Sequence, residues 1–582
     1  MGLAGAQRRA PLADALRGRL RDPSFAVMRA LASRTLLLSL PLALLPTSLA
    51  AQERGELGRQ RPPLFHEAAR HELGVLRVKF REGLRVRLVE GAPTDVESGA
   101  PLLDAALFGG TWRRAYDLPE ATLDEWRTRA SAYWGRPTVD HNLEFFYRFE
   151  PGDDHDALIG AFHQSEWVEY ALPRPRAVEL PSVAGALPPG NYEPQQDVLG
   201  SAPDGIGVVD VQGLPGGTGN GVNLVDLEYS FNGAHHDLPF VWTIVAGDDP
   251  FNDDNHGTAV LGQVLGVDNG YGVTGICPDA AGFFAACSSN DDGYDLEGAL
   301  LTSVVLTSPG DVLLIEQQTD GPGSASDDYV PSEWNLPVYN AIQTAVGVGR
   351  VVVEAAGNGG WNLDDPIFSI GNGNHWPFLP QNDSGAILVG AGGPPDSGSD
   401  DLSRLSFSCY GSTVDLQGYG SMVTTTGYGG LYSAGGKNQW YTNGFNGTSS
   451  ASPIVAGAAV LVQSIYKASG GIYMLPHDVR NILRATGTPQ QSGTFPASQN
   501  IGPRPDLERA AAWARATWVD FAHFGLELAT YSYPLNTFTE GVGFAGPGDT
   551  IYIKGGTTPW TGVIQQATTL NSHGGATLIG AP

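Results

Sequence analysis

Between residues 222 and 390 the chain repeats one pattern six times. A short apolar run, rich in Val, Leu, Ile, Phe or Ala, stands at 222–225, 241–245, 282–286, 311–315, 350–354 and 386–390. Runs of this length suit buried strands better than helices. Stretches with helical spacing stand among and after them, at 256–266, 294–306, 333–347, 449–467 and 476–484. Strands alternating with helices predict a mostly parallel sheet flanked by helices on both faces, so the fold class is α/β.

The pattern changes on either side of this unit. Residues 75–80 and 84–88 alternate apolar with polar positions, as half-buried strands do. Helical spacing over 118–134, a strand at 145–149, a short helix at 154–162 and a strand at 167–171 complete a small α+β domain over 52–172. A linker follows at 173–190, marked by Pro173, Pro175, Pro181, Pro188 and Pro189, where a processing cut is expected. The α/β unit takes residues 191–515, and a short β-rich segment takes 516–582.

The first 51 residues read as an export signal. Arg29 and Arg34 precede the apolar stretch Thr35-Leu36-Leu37-Leu38-Ser39-Leu40, and Ser48-Leu49-Ala50-Ala51 supplies small residues for cleavage. Met28 is the expected start, and a secreted, extracellular protein the expected product. The apolar stretch is short and broken by proline, so no membrane span is expected once the signal is removed. Net charge is −28, from 62 acidic and 34 basic residues, with no basic run beyond the signal. Nucleic acid and anionic membrane are therefore poor partners.

Four residues carry candidate chemistry. Ser449, in Gly447-Thr448-Ser449-Ser450-Ala451-Ser452-Pro453, stands at the head of an apolar helix. Outward-pointing N–H groups there can hold a developing oxyanion. His256, in Asn255-His256-Gly257-Thr258, opens another helix and is a candidate base. Asp226 follows Val222-Asn223-Leu224-Val225 and is a candidate acid, while Asn358, in Ala355-Ala356-Gly357-Asn358-Gly359, is a candidate oxyanion donor. The acid and the amide both follow apolar strands, where sites form in open α/β sheets. Singly, each residue also reads as a cap or a turn residue.

Together, in the order Asp, His, Asn, Ser, these motifs resemble the subtilisin-like serine proteases (subtilases). The resemblance implies a serine endopeptidase acting on peptide or protein substrates. In it Ser449 attacks, His256 is the base, Asp226 the orienting acid and Asn358 the oxyanion-hole donor. It implies no cofactor for the chemistry. The 52–172 domain resembles the family's inhibitory propeptide, which makes the chain's own N-terminal domain an intramolecular inhibitor and the enzyme self-processing; a retained accessory domain is the alternative. Residues 517–582 resemble the first turns of a bacterial parallel β-helix, with a role in attachment or targeting.

The chain departs from the family in two places. Leu227-Glu228 follow Asp226 where a small hydroxyl residue and glycine are usual. Bulky Glu316 and Gln317 stand in the strand end that pairs with substrate in the family, so these two and Gly357 are the expected substrate-binding residues, with a negative charge near the first specificity pocket. Acidic loop clusters (Asp248-Asp249, Asp253-Asp254, Asp291-Asp292, Asp400-Asp401) offer ligands for a structural Ca2+ or are solvated loop charge. Cys277, Cys287 and Cys409 read as buried thiols, with a Cys287–Cys409 bridge as the alternative.

Overall fold

Seven parallel strands form the central sheet, in the order Leu416–Tyr419, Ile387–Gly392, Val351–Ala355, Val312–Ile315, Asn223–Glu228, Ala281–Ala286, Trp242–Val245. Six of them match the six apolar runs. The seventh, Leu416–Tyr419, carries Gln417 and Gly418 and has no apolar run to announce it. In this computed structural model the described residues are 71–103, 108–149, 155–175, 190–289, 293–323, 328–369, 376–395 and 397–580. The export segment, residues 176–189 with the expected cut, and the Asp291-Asp292 pair lie outside them.

Side chains alternate across a strand, and the inner strands here feed two cores. Leu224, Val312, Leu314, Val351 and Val353 join the core built on the buried helices Asn255–Leu265 and Thr448–Ala468. Val225, Leu227, Leu313, Ile315 and Val352 join the core built on Leu296–Leu306 and Leu336–Gly347. Asp226, Glu228 and Glu316 continue the first parity, so they face the helices that carry His256 and Ser449. Thr448–Ala468 is long and apolar enough to cross a membrane, but it is the buried centre of the first core.

The N-terminal unit is a four-stranded antiparallel sheet, ordered Thr111–Arg114, Glu144–Arg148, His71–Phe80, Val168–Pro175, with helices Glu120–Trp134 and His155–Gln164. Its last strand runs through Pro173 to Pro175, past the expected start of the linker, because Leu172 and Pro173 still pair with Arg77 and Leu76. Tyr116, Trp126 and Phe146 share the second core with Leu296, Val338 and Ile342. Arg77 is 2% exposed and joins this unit to the α/β unit. It bonds Glu144 at 3.0 Å on one side, and Glu297 and Asp295 on the other.

The C-terminal segment packs on the α/β unit. Strands Thr517–Val519, Thr550–Ile553 and Thr569–Ser572 pair in parallel. Trp518 is fully buried in the first core and stacks on Tyr552, with ring centroids 4.7 Å apart. Thr530 and Ser532 both donate to the buried Asp478.

Candidate active site

The strand that was expected to stop at Val225 runs on to Glu228. Asp226 is therefore a mid-strand residue, paired with Phe284 on one side and Leu314 on the other. Its side chain is fully buried and neither carboxyl oxygen has a hydrogen-bond partner. Burial first, and the nearby Glu228 charge second, push its pKa well above the ordinary carboxylate range. A neutral, unpartnered acid cannot orient an imidazole.

Glu228 occupies the carboxyl end of the strand and takes that place. Its Oε2 lies 2.5 Å from His256 Nδ1. Its Oε1 accepts the Tyr229 backbone N–H at 2.7 Å and Gln317 Nε2–H at 3.2 Å. With Nδ1–H donated to Glu228, the imidazole carries its lone pair on Nε2, which is buried and without a partner. The carboxyl group that meets the imidazole is thus that of Glu228 and not that of Asp226. The extra length of a Glu side chain reaches Nδ1 from a strand end. The sequence signal for this was Leu227, whose apolar side chain extends the strand by one alternation and leaves Asp226 inside it.

His256 stands in the first turn of Asn255–Leu265. Hydroxyl groups of Thr425 and Thr426 donate to the Ala259 and Thr258 carbonyls at 2.6 Å each and fix this helix against the neighbouring strand. Phe445 meets the imidazole edge-to-face at 5.4 Å.

Ser449 is 2% exposed at the start of Thr448–Ala468. The turn into this helix needs Gly447, whose φ of 96° disfavours any side chain. Asn358 is tied to the same turn. Its Oδ1 accepts Thr448 N–H at 2.8 Å and lies 3.1 Å from the Thr448 hydroxyl. Gln318 Oε1 accepts both the Asn358 backbone N–H at 3.2 Å and Asn358 Nδ2–H at 3.1 Å. Gly357 precedes it at φ 89°, with the Val330 backbone 2.7 Å from where a Cβ would stand.

Glu316 and Gln317, expected at the substrate surface, bond inside the protein instead. They are 1% and 0% exposed and turn inward. Gln317 braces Glu228, as described. Glu316 Oε1 lies 2.6 Å from Ser452 Oγ, one turn after Ser449, and its pKa is raised well above the ordinary range by burial, opposed by the hydrogen bond to Ser452. The expected negative charge at the specificity pocket is thus a buried acid held neutral. Parity explains this: Glu316 continues the register of Val312 and Leu314, which faces the Ser449 helix. Sequence reasoning missed Glu228, Gln318 and Thr448 as members of the site.

The acidic loops spend their oxygens on the protein. Asp249 accepts from Ser230, Phe251 and Asp253, Asp254 pairs with Lys437, and Asp401 with Arg504. Among the described residues no group of three or more His, Cys, Asp or Glu converges to hold a metal ion. Cys277, Cys287 and Cys409 are all buried free thiols.

Comparison with known proteins finds relatives of the α/β unit. Residues 243–502 match the Subtilase family. The catalytic unit is a subtilisin-like serine protease domain. Subtilisin DY of Bacillus licheniformis is 29% identical over 283 residues, 48% of this chain and 87% of its own length. Subtilisin amylosacchariticus of Bacillus subtilis subsp. amylosacchariticus is 27% identical over 270 residues, 45% of this chain and 61% of its own length. Among solved structures, fervidolysin from Fervidobacterium pennivorans, a keratinolytic enzyme related to subtilisin, is 14% identical, with a TM-score of 0.46, over 77% of this chain and 62% of its own. The matched residues take in most of the α/β unit but begin after the strand Asn223–Glu228, and the chain adds a unit before the α/β unit and another after it.

Proposed function

We propose that this protein is a secreted serine endopeptidase that works through Glu228, His256 and Ser449 and matures by cutting its own N-terminal unit away. The observation that carries the reading is the His256 ring, with Nδ1 on Glu228 and Nε2 free. Ser449 Oγ attacks the substrate carbonyl while His256 Nε2 takes its proton. Glu228 stabilises the imidazolium without taking the proton itself. The oxyanion is held by the second Asn358 Nδ2 hydrogen, the one not used by Gln318, and by the Ser449 backbone N–H. His256 then protonates the leaving amine, and water releases the acyl group by the same steps in reverse order.

The inhibitory role of the N-terminal unit is supported by its seat on the helices Leu296–Leu306 and Leu336–Gly347. Tyr170 and Leu172 pack on Leu336 and Tyr339, and Trp134 Nε1 donates to the Gln343 carbonyl at 3.1 Å. Export rests on the basic and apolar order of the first 51 residues.

The test is labelling with a serine-directed fluorophosphonate, followed by peptide mapping and a casein assay. An adduct on Ser449, and loss of both adduct and activity in Ser449→Ala, are expected. Labelling elsewhere, or unchanged casein cleavage in Ser449→Ala, would overturn the reading. N-terminal sequencing of protein from the medium should begin within 173–190; a start near Gln52 would reject self-processing.

A further inference from the structure

We infer that Gln318 is a positioning residue for the oxyanion hole, selecting which end of the Asn358 side chain meets the substrate. This rests on the reading of the site as a serine endopeptidase. An amide side chain has two ends of nearly equal size, and only one of them stabilises an oxyanion. Turned over, Asn358 would present Oδ1 to the developing negative charge and oppose the reaction.

Two neighbours decide the orientation. Thr448 places its backbone N–H and its hydroxyl at one end, 2.8 and 3.1 Å away, so that end is the oxygen. Gln318 Oε1 stands at the other end, 3.1 Å away, so that end is the nitrogen. One Nδ2 hydrogen is used by Gln318 and the other remains for substrate. The same Gln318 oxygen takes the Asn358 backbone N–H, so main chain and side chain are held by one acceptor.

Gln318 is itself fixed. It is 4% exposed and begins the strand Gln318–Asp320, paired antiparallel with Tyr329–Pro331. It is also a neutral acceptor. A carboxylate there would hold both N–H groups but place a negative charge beside the oxyanion. Losing one oxyanion donor outright typically costs about 10²–10³ in kcat. Gln318 only orients the donor, so its loss should cost less, about tenfold to a hundredfold in kcat with little change in KM.

A double-mutant cycle separates positioning from simple packing. Steady-state cleavage of one peptide substrate would be measured for the wild type, Gln318→Leu, Asn358→Ala and the double variant. Gln318→Leu is expected to lower kcat in the wild type and to change nothing further in the Asn358→Ala background. An equal loss in both backgrounds, or a loss confined to KM, would overturn the inference while leaving the protease reading intact. Asn358→Ala without effect on kcat would remove the reading and the inference together. Should Gln318→Leu fail to fold, the near-isosteric Gln318→Glu replaces it. Its kcat should fall further as pH rises through ionisation of the new carboxyl, with an unchanged melting temperature; wild-type kcat at every pH would sink the idea.

Discussion

Glu228 Oε2 lies 2.5 Å from His256 Nδ1, while Asp226, two positions earlier on the same face of the same strand, has no hydrogen-bond partner. Two carboxyl groups on one strand face thus have opposite surroundings. One sits at the strand end with three hydrogen bonds, from His256, Tyr229 and Gln317. The other is buried with none and is held neutral. Position along the strand, rather than residue type, decides which can serve the imidazole.

Exchange of each acid for its amide should separate them. Glu228→Gln is expected to lower kcat by about 10⁴, the size seen when a triad acid becomes an amide and the imidazole adopts the wrong tautomer. Asp226→Asn should stay within a few-fold of the wild type, since the native side chain is already uncharged. Peptide hydrolysis by the purified variants decides the matter. The reverse ranking would return the role to Asp226.

Much of this arrangement was legible in the sequence. The six apolar runs gave six of the seven strands because the inner ones are buried on both faces, while the edge strand Trp242–Val245, with Trp242 54% exposed, is marked by its β-branched and aromatic residues. Ser449, His256 and Asn358 stand in short motifs whose glycines, Gly447 and Gly357, are needed for the turns themselves. What was not legible depended on where a strand stops. Asp226 was read as a strand end because an acid ordinarily interrupts an apolar run, yet Leu227 is fully buried and carries the strand on. The same uncertainty hid Glu316 and Gln317, whose inward direction follows only from register with Leu314 and Glu228.

Arg77 is a buried ionic link between the N-terminal sheet and the catalytic unit, beside Arg174, whose Nη2 lies 3.8 Å from Asp295. Arg77→Met would leave the buried Glu297 without its cation and the buried Glu144 with only His141 and the Tyr116 hydroxyl. Removing one member of a buried ion pair costs about 3–5 kcal/mol. In a Ser449→Ala background, which prevents self-digestion, the denaturation midpoint of the whole chain should fall accordingly. The N-terminal unit should also become the first part cut by an added protease. Unchanged protection of that unit would show that its docking rests on the apolar contacts of Tyr116, Trp126 and Phe146 instead.

The C-terminal segment is less separable than its change of sequence character suggests. Trp518 is fully buried among Trp513, Tyr531 and Tyr552. Truncation after Arg515 would expose that part of the core and strip Asp478 of its Thr530 and Ser532 partners. Trp518→Ala alone should cost about 3–5 kcal/mol, as large-to-small changes at buried aromatics do. Thermal melts of Trp518→Ala and of the truncated chain, both in the Ser449→Ala background, test this. A truncated chain as stable as the full one would mark the segment as an independent appendage.

Stability should fall as pH rises from weakly acidic to mildly alkaline. Glu333 is 1% exposed, lies against Glu354 on the sheet face away from Ser449, and burial pushes its pKa up to about 8. Below pH 4.5, the ordinary value for Glu, the folded and unfolded chains both hold this proton. Between 4.5 and about 8 the unfolded chain has lost it and the folded chain has not. Over that window the group removes up to about 1.4 kcal/mol of stability per pH unit, and above it the loss is complete. Glu144 works in the opposite direction: burial pushes it up, but His141 and Arg77 bring it down to about 2, so its effect is confined to more acidic solution. Glu333→Gln cannot ionise in either state. In the Ser449→Ala background the gap between denaturation midpoints at pH 5 and pH 8 should therefore shrink on adding Glu333→Gln, with the gain appearing at pH 8. An identical gap in both proteins would mean that the fall has its source in another buried acid, with Glu316 and Asp226 the next to replace.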